Sequence, residues 1–209
     1  MTEEDARAFV LSRMPSSRLA MLDDLIALLR KENELQNLVS RPSMDEVWSR
    51  HIADSAQLVD HVSRETGDWM DLGAGAGFPG LVLAIMRPDA TLHLVESRKR
   101  RVAWLKDAAA DLGLANCVVH GCRLESLPAF PADVITARAF APLPKLLDLA
   151  GMFSTARTDW VLPKGRSAAQ ELRDLPKKAR SMFHVERSAT DAEAAILVGK
   201  GRVKAGART

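Results

Sequence analysis

The sequence predicts an α/β fold, a Rossmann-like parallel sheet with crossover helices that follows a helical N-terminal extension. From Asp68 onward, short apolar stretches alternate with helical patterns, as in strands joined by crossover helices. Residues 1–66 contain no strand pattern, and the apolar stretch Asp68–Leu72 runs into a glycine-rich turn. We therefore expect a helical extension at 1–66 and a sheet domain at 67–209, together forming one compact unit.

The extension is predicted to contain two helices separated by a break. Apolar residues recur with the 3.6-residue period of a helix up to about Asn33. Pro42 disfavours a helical conformation at Arg41 and therefore predicts a break there. A second helix is expected at about 44–64, ending before Gly67.

The sheet domain is expected to contain seven strands. Five parallel strands are predicted at 68–72, 91–96, 117–121, 132–137 and 158–163. A terminal pair of strands is predicted at 182–187 and 194–199. The connecting helices are predicted near 79–87, 97–113, 142–153 and 167–180.

The amino-acid composition is typical of a globular protein that does not span a membrane. Hydrophobic residues make up 47% of the 209 and charged residues 27%, and no apolar run approaches the roughly 20 residues of a membrane helix. The acidic start at 1–5 is unlike a secretory or transit peptide. Cys117 and Cys122 are too few for a disulfide framework, and their spacing matches no metal site. We therefore expect a cytoplasmic protein without a bound metal.

Basic residues are unevenly distributed along the chain. Residues 1–163 contain 18 Lys and Arg against 22 Asp and Glu, whereas residues 164–209 contain 11 against 5. A further basic cluster, Arg98–Arg101, follows the second predicted strand. Such patches are typical of surfaces that contact nucleic-acid phosphates, although a solvated helix face explains the charge equally well.

The turn after the first strand predicts a site for a nucleotide-type ligand. Gly73, Gly75 and Gly77 allow a sharp turn and the close approach of a ligand. Residues 75–80 fit the dinucleotide pattern G-x-G-x-x-G, and Glu96 follows Gly75 by 21 residues, where a ribose-binding acid is expected. S-adenosylmethionine would use the same geometry, with its ribose on Glu96. A turn without a ligand is disfavoured because a strand precedes it and a helix follows.

Three features favour the methyl donor over a dinucleotide. Asp71 places a carboxylate at the loop, which suits the ammonium group of S-adenosylmethionine but would repel a pyrophosphate. The sheet follows a helical extension, whereas a dinucleotide loop usually opens its chain. The chain has no Tyr for the acid–base pair of short-chain dehydrogenases, and no Cys/His pair indicates a hydride-transfer zinc site. A dinucleotide-dependent oxidoreductase remains the alternative.

Several motifs together resemble one bacterial family. They are R-H-I-A-D-S at 50–55, D-L-G-A-G-A-G-F-P-G at 71–80, L-V-E-S at 94–97 with the following K-R at 99–100, R-L-E at 123–125, A-R-A at 137–139 and K-G at 164–165. In this order they resemble the RsmG family, also called glucose-inhibited division protein B. The resemblance implies a class I methyltransferase that uses S-adenosylmethionine to methylate N7 of guanine 527, in the 530 loop of 16S ribosomal RNA.

The glycine loop and the resemblance together assign roles to individual residues. The expected donor-site residues are Asp71, Gly73, Gly75, Gly77, Phe78, Glu96, Leu124, Glu125 and Arg138. Among them, Leu124 and Glu125 are expected beside the adenine. The expected RNA-contacting residues are Arg50, His51, Arg100, Arg101 and Lys164. Arg138 and Lys164 are expected to position the reactants.

Each assignment has a purely structural alternative. Glu96 could pair with the cluster Arg98–Arg101, and Arg138 could belong to a structural ion pair. Glu125 could cap a turn, and His51 could be a packed or capping histidine.

The implied reaction needs no acid–base residue. Guanine N7 carries an in-plane lone pair and no proton, so attack on a sulfonium methyl group requires orientation in a water-poor pocket, without a general base, a metal or a covalent intermediate. The expected by-product is S-adenosylhomocysteine. The expected partner is 16S ribosomal RNA, the small ribosomal subunit or an assembly precursor, with no membrane and no stable protein partner. A methyltransferase acting on another RNA or on a small molecule is a second alternative.

Overall fold

A seven-stranded sheet runs through the middle of the molecule. The structure, a computed structural model, describes residues 1–63 and 67–203. The strands are β1 (Asp68–Leu72), β2 (Thr91–Val95), β3 (Cys117–His120), β4 (Val134–Thr136), β5 (Asp159–Lys164), β6 (Phe183–Arg187) and β7 (Ala195–Lys200). Within the described residues the strand order is β3-β2-β1-β4-β5-β7-β6. Strands β1 to β5 pair in parallel, whereas β7 runs antiparallel between β5 and β6.

The strand order reverses between β1 and β4, and this reversal determines where a ligand can bind. Asp71 of β1 lies opposite Leu94 of β2 on one side and Thr136 of β4 on the other. In open α/β sheets ligands bind at the carboxyl ends of the strands, at the point of reversal. The loops that follow β1, β2 and β4 therefore meet at the edge where a site is expected.

Helices cover both faces of the sheet. They are α1 (Glu3–Leu11), α2 (Leu19–Asn33), α3 (Arg41–Asp45), α4 (Asp54–Ala56), α5 (Gly80–Met86), α6 (Lys99–Asp111), α7 (Leu143–Ala150), α8 (Ala168–Arg173) and α9 (Lys177–Arg180). Side chains of β1 alternate between the faces, because Trp69 joins the apolar cluster that includes α2, α5 and α6, and Met70 joins the one that includes α7. Among the described helices, none is both long and apolar enough to cross a membrane.

The N-terminal helices pack against the first of these faces. Leu22, Leu25 and Leu29 of α2 are fully buried in the same cluster as Leu83 of α5. Burial of each such leucine contributes about 1.5–3 kcal/mol of transfer free energy. The extension and the sheet therefore share an apolar core, and the proposed boundary between 1–66 and 67–209 stays a prediction.

All seven predicted strands are confirmed, with ends that differ from the predicted ones by at most two residues. The predicted antiparallel pair at the end of the chain is also present, as β6 and β7. These strands were predictable because each is a short apolar run between turn residues.

The start predicted for the helix at 44–64 is wrong. The helix begins at Arg41, and the hydroxyl of Ser40 accepts a hydrogen bond from the backbone N–H of Ser43 at 3.3 Å. Pro42 disfavours helical backbone at Arg41, which is why the sequence predicts a break there. It is tolerated because the first helical turn does not need the missing N–H.

The same segment does not continue as one α-helix. The backbone at Glu46 departs from helical geometry, with φ of −109° and ψ of 38°. A π-helix at Trp48–Ala53 follows, then α4 and a 3₁₀-helix at Gln57–His61. The predicted end near residue 64 lies outside the described residues.

A distant side chain holds the start of this π-helix. The carboxylate of Glu3 in α1 accepts hydrogen bonds from the backbone N–H groups of Trp48 and Ser49, at 2.9 and 2.8 Å. A carboxylate at a helix N-terminus satisfies donors that otherwise have no partner. The irregular segment is therefore stabilised by tertiary contact.

The helix predicted at 167–180 is two short helices. Pro176 lies between α8 and α9, with φ of −53° and ψ of 143°. Proline cannot donate the helical hydrogen bond and disfavours helical backbone at the preceding residue, so the helix stops and restarts. The helix predicted at 142–153 is α-helical to Ala150 and then a 3₁₀-helix at Gly151–Phe153.

Candidate functional site

Two cavities open at the edge of the sheet where the loops after β1, β2 and β4 meet. The larger, here called the cleft, has a volume of about 880 Å³ and lies between the loop after β4, the end of β5, the helical residues 49–54 and the β6–β7 turn. The smaller, here called the small cavity, has a volume of about 340 Å³ and lies over the ends of β1 and β2. Ala139, Phe140 and Ala141 line both, so the two cavities are neighbours.

Gly73, the first glycine of the loop after β1, lines the small cavity. Gly73, Gly75 and Gly77 have φ values of +69°, +55° and +98°, a backbone region that favours glycine. The N–H groups of Gly73 and of the residue after it donate to the carbonyl of Val95, at 2.8 and 3.1 Å. A Cβ at Gly73 would lie 2.7 Å from Cδ2 of Phe140, so the loop after β4 packs directly on this glycine.

Two predicted donor-site residues at the end of the loop do not line the small cavity. A Cβ at Gly77 would clash with the side chain of Leu81 in α5, so this glycine permits close packing of its own helix. Phe78 is 3% exposed and stacks against His51. Gly77 and Phe78 are therefore placed to support the loop, whereas Gly73 lines the small cavity.

The buried carboxylate of Glu96 connects the glycine loop with the start of α6. It accepts backbone hydrogen bonds from Gly75 at 3.1 Å, Ser97 at 2.7 Å and Arg98 at 2.8 Å. A carboxylate has about four acceptor positions, so roughly one remains for a ligand hydroxyl. The ion pair with Arg98–Arg101, which the sequence left open, is not formed.

Asp71 is fully buried at the end of β1. Its Oδ2 accepts a hydrogen bond from the N–H of Gly80 at 2.9 Å, and a Cβ at Gly80 would lie 2.7 Å from this oxygen. Oδ1 of Asp71 and Oγ1 of its strand neighbour Thr136 have no partner among the described residues. Burial raises the pKa of the Asp71 carboxyl to about 7. Buried polar atoms without partners are rare and indicate a place for a ligand or water.

His51 and Arg138 pack around Phe78 at the inner end of the cleft. The rings of His51 and Phe78 are stacked, with centroids 4.8 Å apart, and the Arg138 guanidinium lies 5.3 Å from the Phe78 centroid. Because a guanidinium only donates, the 3.1 Å contact between Nη1 of Arg138 and Nδ1 of His51 places the imidazole proton on Nε2. Burial, Arg138 and Arg50 together lower the pKa of His51 to about 3, so the ring is neutral.

Each Arg or Lys that lines the cleft faces a carboxylate. The pairs are Arg50 with Asp191 at 3.7 Å, Arg138 with Asp54 at 3.5 Å and Lys164 with Glu171 at 2.8 Å. Glu171 also accepts a hydrogen bond from the N–H of Leu143 at the start of α7, at 2.9 Å. Arg138 is thus both a cleft residue and a member of an ion pair, as its structural alternative proposed.

A polar network around the buried Gln57 joins the cleft to the β6–β7 turn. Oδ1 of Asp54 accepts hydrogen bonds from Gln57 at 2.9 Å and from the hydroxyl of Thr190 at 3.0 Å. Gln57 is 2% exposed and accepts a hydrogen bond from the N–H of Ala189 at 2.8 Å. The turn is therefore held in a fixed position against the residues around Arg138.

The basic cluster Arg98–Arg101 is divided between two surfaces. The side chain of Arg100 donates to the carbonyl of Leu35 at 2.7 Å and faces α2. Arg98 and Arg101 instead line the small cavity, together with the predicted adenine neighbours Leu124 and Glu125. Arg100 and Arg101, both expected to contact RNA, therefore do not form one patch.

Sequence reasoning missed three residues that the site brings together. Asp54 and Glu171 are the ion-pair partners of Arg138 and Lys164, and Phe140 separates the two cavities. Asp54 belongs to the motif R-H-I-A-D-S, so this motif could have indicated it as a site residue. No short-range pattern marks the other two.

Comparison with known families decides what kind of protein has this site. The family model described as rRNA small subunit methyltransferase G matches residues 18–195. The chain belongs to the rRNA small subunit methyltransferase G family. This confirms the resemblance stated from the motifs and favours methyl transfer over the dinucleotide-dependent oxidoreductase.

Curated members of this family match over nearly the whole chain. The "Ribosomal RNA small subunit methyltransferase G" of Erythrobacter litoralis is 62% identical over 203 residues, which cover 97% of this chain and 98% of that protein. The protein of the same name from Rhizorhabdus wittichii is 49% identical over 200 residues, covering 95% of this chain and 92% of that protein.

Solved structures with low identity share the fold. A SAM-dependent methyltransferase from Aquifex aeolicus aligns with a TM-score of 0.59 at 14% identity, covering 82% of this chain and 98% of that one. Precorrin-6y C5,15-methyltransferase from Geobacter metallireducens aligns with a TM-score of 0.53 at 12% identity, covering 80% and 92%. The fold is that of class I S-adenosylmethionine-dependent methyltransferases, as predicted.

Proposed function

We propose that this protein transfers a methyl group from S-adenosylmethionine to N7 of a guanine in the 530 loop of 16S ribosomal RNA, releasing S-adenosylhomocysteine. The observation that carries the proposal is the pair of adjoining cavities at the reversal of strand order, one small and lined by Gly73 and Glu96, the other large and open. Family membership supports the reaction class, and the names of the relatives support the choice of RNA. The expected location is the cytoplasm.

The residues of the small cavity fit the methyl donor. Glu96 has an acceptor position left for a ribose hydroxyl, and the buried Leu124 offers an apolar wall to the adenine. Asp71 is buried and does not line the cavity, and its unpartnered Oδ1 at the end of β1 is the acceptor that we propose for the ammonium group. When bound, the donor supplies an electrophilic methyl carbon on a sulfonium. A Cβ at Gly73 would meet Phe140 and one at Gly75 would approach Arg101, so glycine at these positions lets the loop lie close to two residues that line the cavity.

The residues of the cleft fit a role in orientation. Guanine N7 has no proton to lose, so the chain needs to exclude water and align the base with the donor. Arg138 and Lys164 are fixed by Asp54 and Glu171 at the cleft wall, and we infer that they orient the RNA by phosphate or base contacts. His51 is neutral and buried, which suits a packing and hydrogen-bonding role better than proton transfer.

The test is a mass map of methylated nucleotides in small-subunit RNA from cells with and without the gene. We expect 7-methylguanosine in the 530-loop fragment to disappear without the gene and to return with the wild-type chain. Methylation that disappears from another fragment would assign a different RNA site. An unchanged map, together with turnover of free guanosine, would establish a small-molecule methyltransferase.

A further inference from the structure

Four cations surround the small cavity without carboxylate partners. Arg98, Arg101, Arg123 and Lys145 all line it, and none of them forms an ion pair with another residue that the structure describes. Arg98, Arg123 and Lys145 are exposed, so an outside partner can reach them.

The methyl donor does not account for this charge. S-adenosylmethionine has a sulfonium and an ammonium group against one carboxylate, so its net charge is +1, and it would be repelled by added cations. Two of the four cations lie at the start of α6, where Arg98 is the N-cap residue and Arg101 belongs to a first turn that contains no acidic residue. The helix dipole disfavours cations at that end. The positive charge of the donor and the helix dipole both oppose cations at this position. The presence of cations there therefore indicates an anionic partner.

The cleft offers fewer free cations to such a partner. Arg50, Arg138 and Lys164 each face a carboxylate, at 3.7, 3.5 and 2.8 Å. A phosphate that approached them would have to displace or share that carboxylate. The unpaired cations of the small cavity can neutralise phosphates directly and release counterions.

We propose that the RNA backbone crosses the rim of the small cavity on Arg98, Arg101, Arg123 and Lys145, so that the methyl donor enters before the RNA and the spent donor leaves after it. The proposal rests on the proposed function, because it takes RNA as the anionic partner. Once phosphates lie on the rim, the opening through which the donor exchanges is covered. The base itself is then presented to the cleft, which adjoins the small cavity at Phe140.

The first experiment compares two variants that each remove two positive charges. R123Q/K145Q changes the rim, and K177Q/K178Q changes α9, in the basic C-terminal region. Binding to small subunits from cells lacking the gene is measured across a salt series. We expect the rim variant to bind at least tenfold more weakly and to lose about 1.4 from the slope of log affinity against log salt, for two contacts to a single strand. The α9 variant should match the wild type. If instead the α9 variant binds more weakly and the rim variant matches the wild type, the RNA binds the C-terminal region and the proposal is overturned.

The second experiment measures exchange of bound donor in the wild-type protein. Labelled S-adenosylhomocysteine is bound first, and its release into excess unlabelled compound is followed with and without the same small subunits. We expect release at least tenfold slower with subunits bound, and R123Q/K145Q at equal occupancy should lose part of that delay. Equal release rates in the wild type would overturn the compulsory order. The mass map of 7-methylguanosine tests the proposed function separately, because a wrong binding path leaves it unchanged.

Discussion

The cleft and the small cavity have similar numbers of cations but balance them in opposite ways. In the cleft, three cations each lie within 3.7 Å of a carboxylate oxygen. In the small cavity, four cations have no such partner among the described residues, and its buried carboxylate, Glu96, is bonded to backbone N–H groups. Paired charges hold the geometry of a wall, whereas unpaired charges remain available to a ligand. The paired cations of the cleft therefore suit the orientation of a ligand, whereas the unpaired cations of the small cavity suit its attraction.

The largest effect should come from a substitution in the glycine loop. Gly75→Val puts a β-branched side chain at φ of +55°, facing Nη1 of Arg101 at 3.3 Å from the new Cβ. We expect binding of S-adenosylmethionine to be lost in calorimetry. Gly113→Val is the matched control, because Gly113 has φ of +63° and nothing within 4 Å of a new Cβ. Both variants should lose about 1–3 kcal/mol of stability from backbone strain. Unchanged affinity in a folded Gly75→Val would place the donor elsewhere.

The second effect concerns the paired charges of the cleft. Glu171→Ala leaves Lys164 without its partner at 11% side-chain exposure and removes the acceptor for the N–H of Leu143. We expect a loss of about 2–4 kcal/mol in urea unfolding, because an unpaired charge stays largely buried. Glu193→Ala is the control. It breaks an ion pair with Arg166 whose side chains are 81% and 63% exposed, and should have no measurable effect. Equal stability of the two variants would show that the cleft pair does not hold the wall.

The third effect separates the two carboxylates of the small cavity. Glu96→Ala should weaken donor binding by about 1.5–3 kcal/mol, the range for hydrogen bonds to a charged group. The variant should also lose the preference for S-adenosylmethionine over its 2′-deoxy analogue. Glu125→Ala removes the exposed carboxylate of the same cavity and should keep that preference. If Glu96→Ala retains the preference, the ribose does not bind there, and the role of Glu96 is to hold the loop.

Sequence reasoning succeeded where the cause of a structure is local. The strands are apolar runs between turns, and Glu96 follows directly from its position after β2. The π-helix at Trp48–Ala53 was not predictable because it depends on Glu3, 45 residues away from Trp48. The pairing of cations with carboxylates was not predictable from the sequence either. Arg138 and Asp54 are 84 residues apart in the chain, and only the fold shows that one cluster of cations is neutralised and the other is not.

The smallest effect is expected in the free energy of unfolding, as its change per pH unit. It should distinguish Asp71, the buried acid beside the small cavity, from His51, the buried base in the cleft. The pKa of Asp71 is raised to about 7 from 3.8, so between about pH 4 and 7 the native state holds a proton that the unfolded chain has lost. Its contribution to stability therefore falls as pH rises through that window. The pKa of His51 is lowered to about 3 from 6.5, so the unfolded chain binds the extra proton and stability rises with pH up to about 6.5.

The two contributions oppose each other in the wild type, and single variants should expose them. Between pH 4.5 and 6.5, Asp71→Asn should make the slope of unfolding free energy against pH more positive than in the wild type, by about 1.4 kcal/mol per pH unit, the value for one proton. His51→Gln should make it more negative by a similar amount. Above about pH 8.5 both variants should run parallel to the wild type, because Asp71 is then ionised and His51 neutral in both the native and the unfolded state. Urea unfolding at intervals of one pH unit measures these slopes. Parallel curves throughout would mean that neither group is held in the environment described, and a change in Asp71→Asn alone would confine the effect to the loop beside the small cavity.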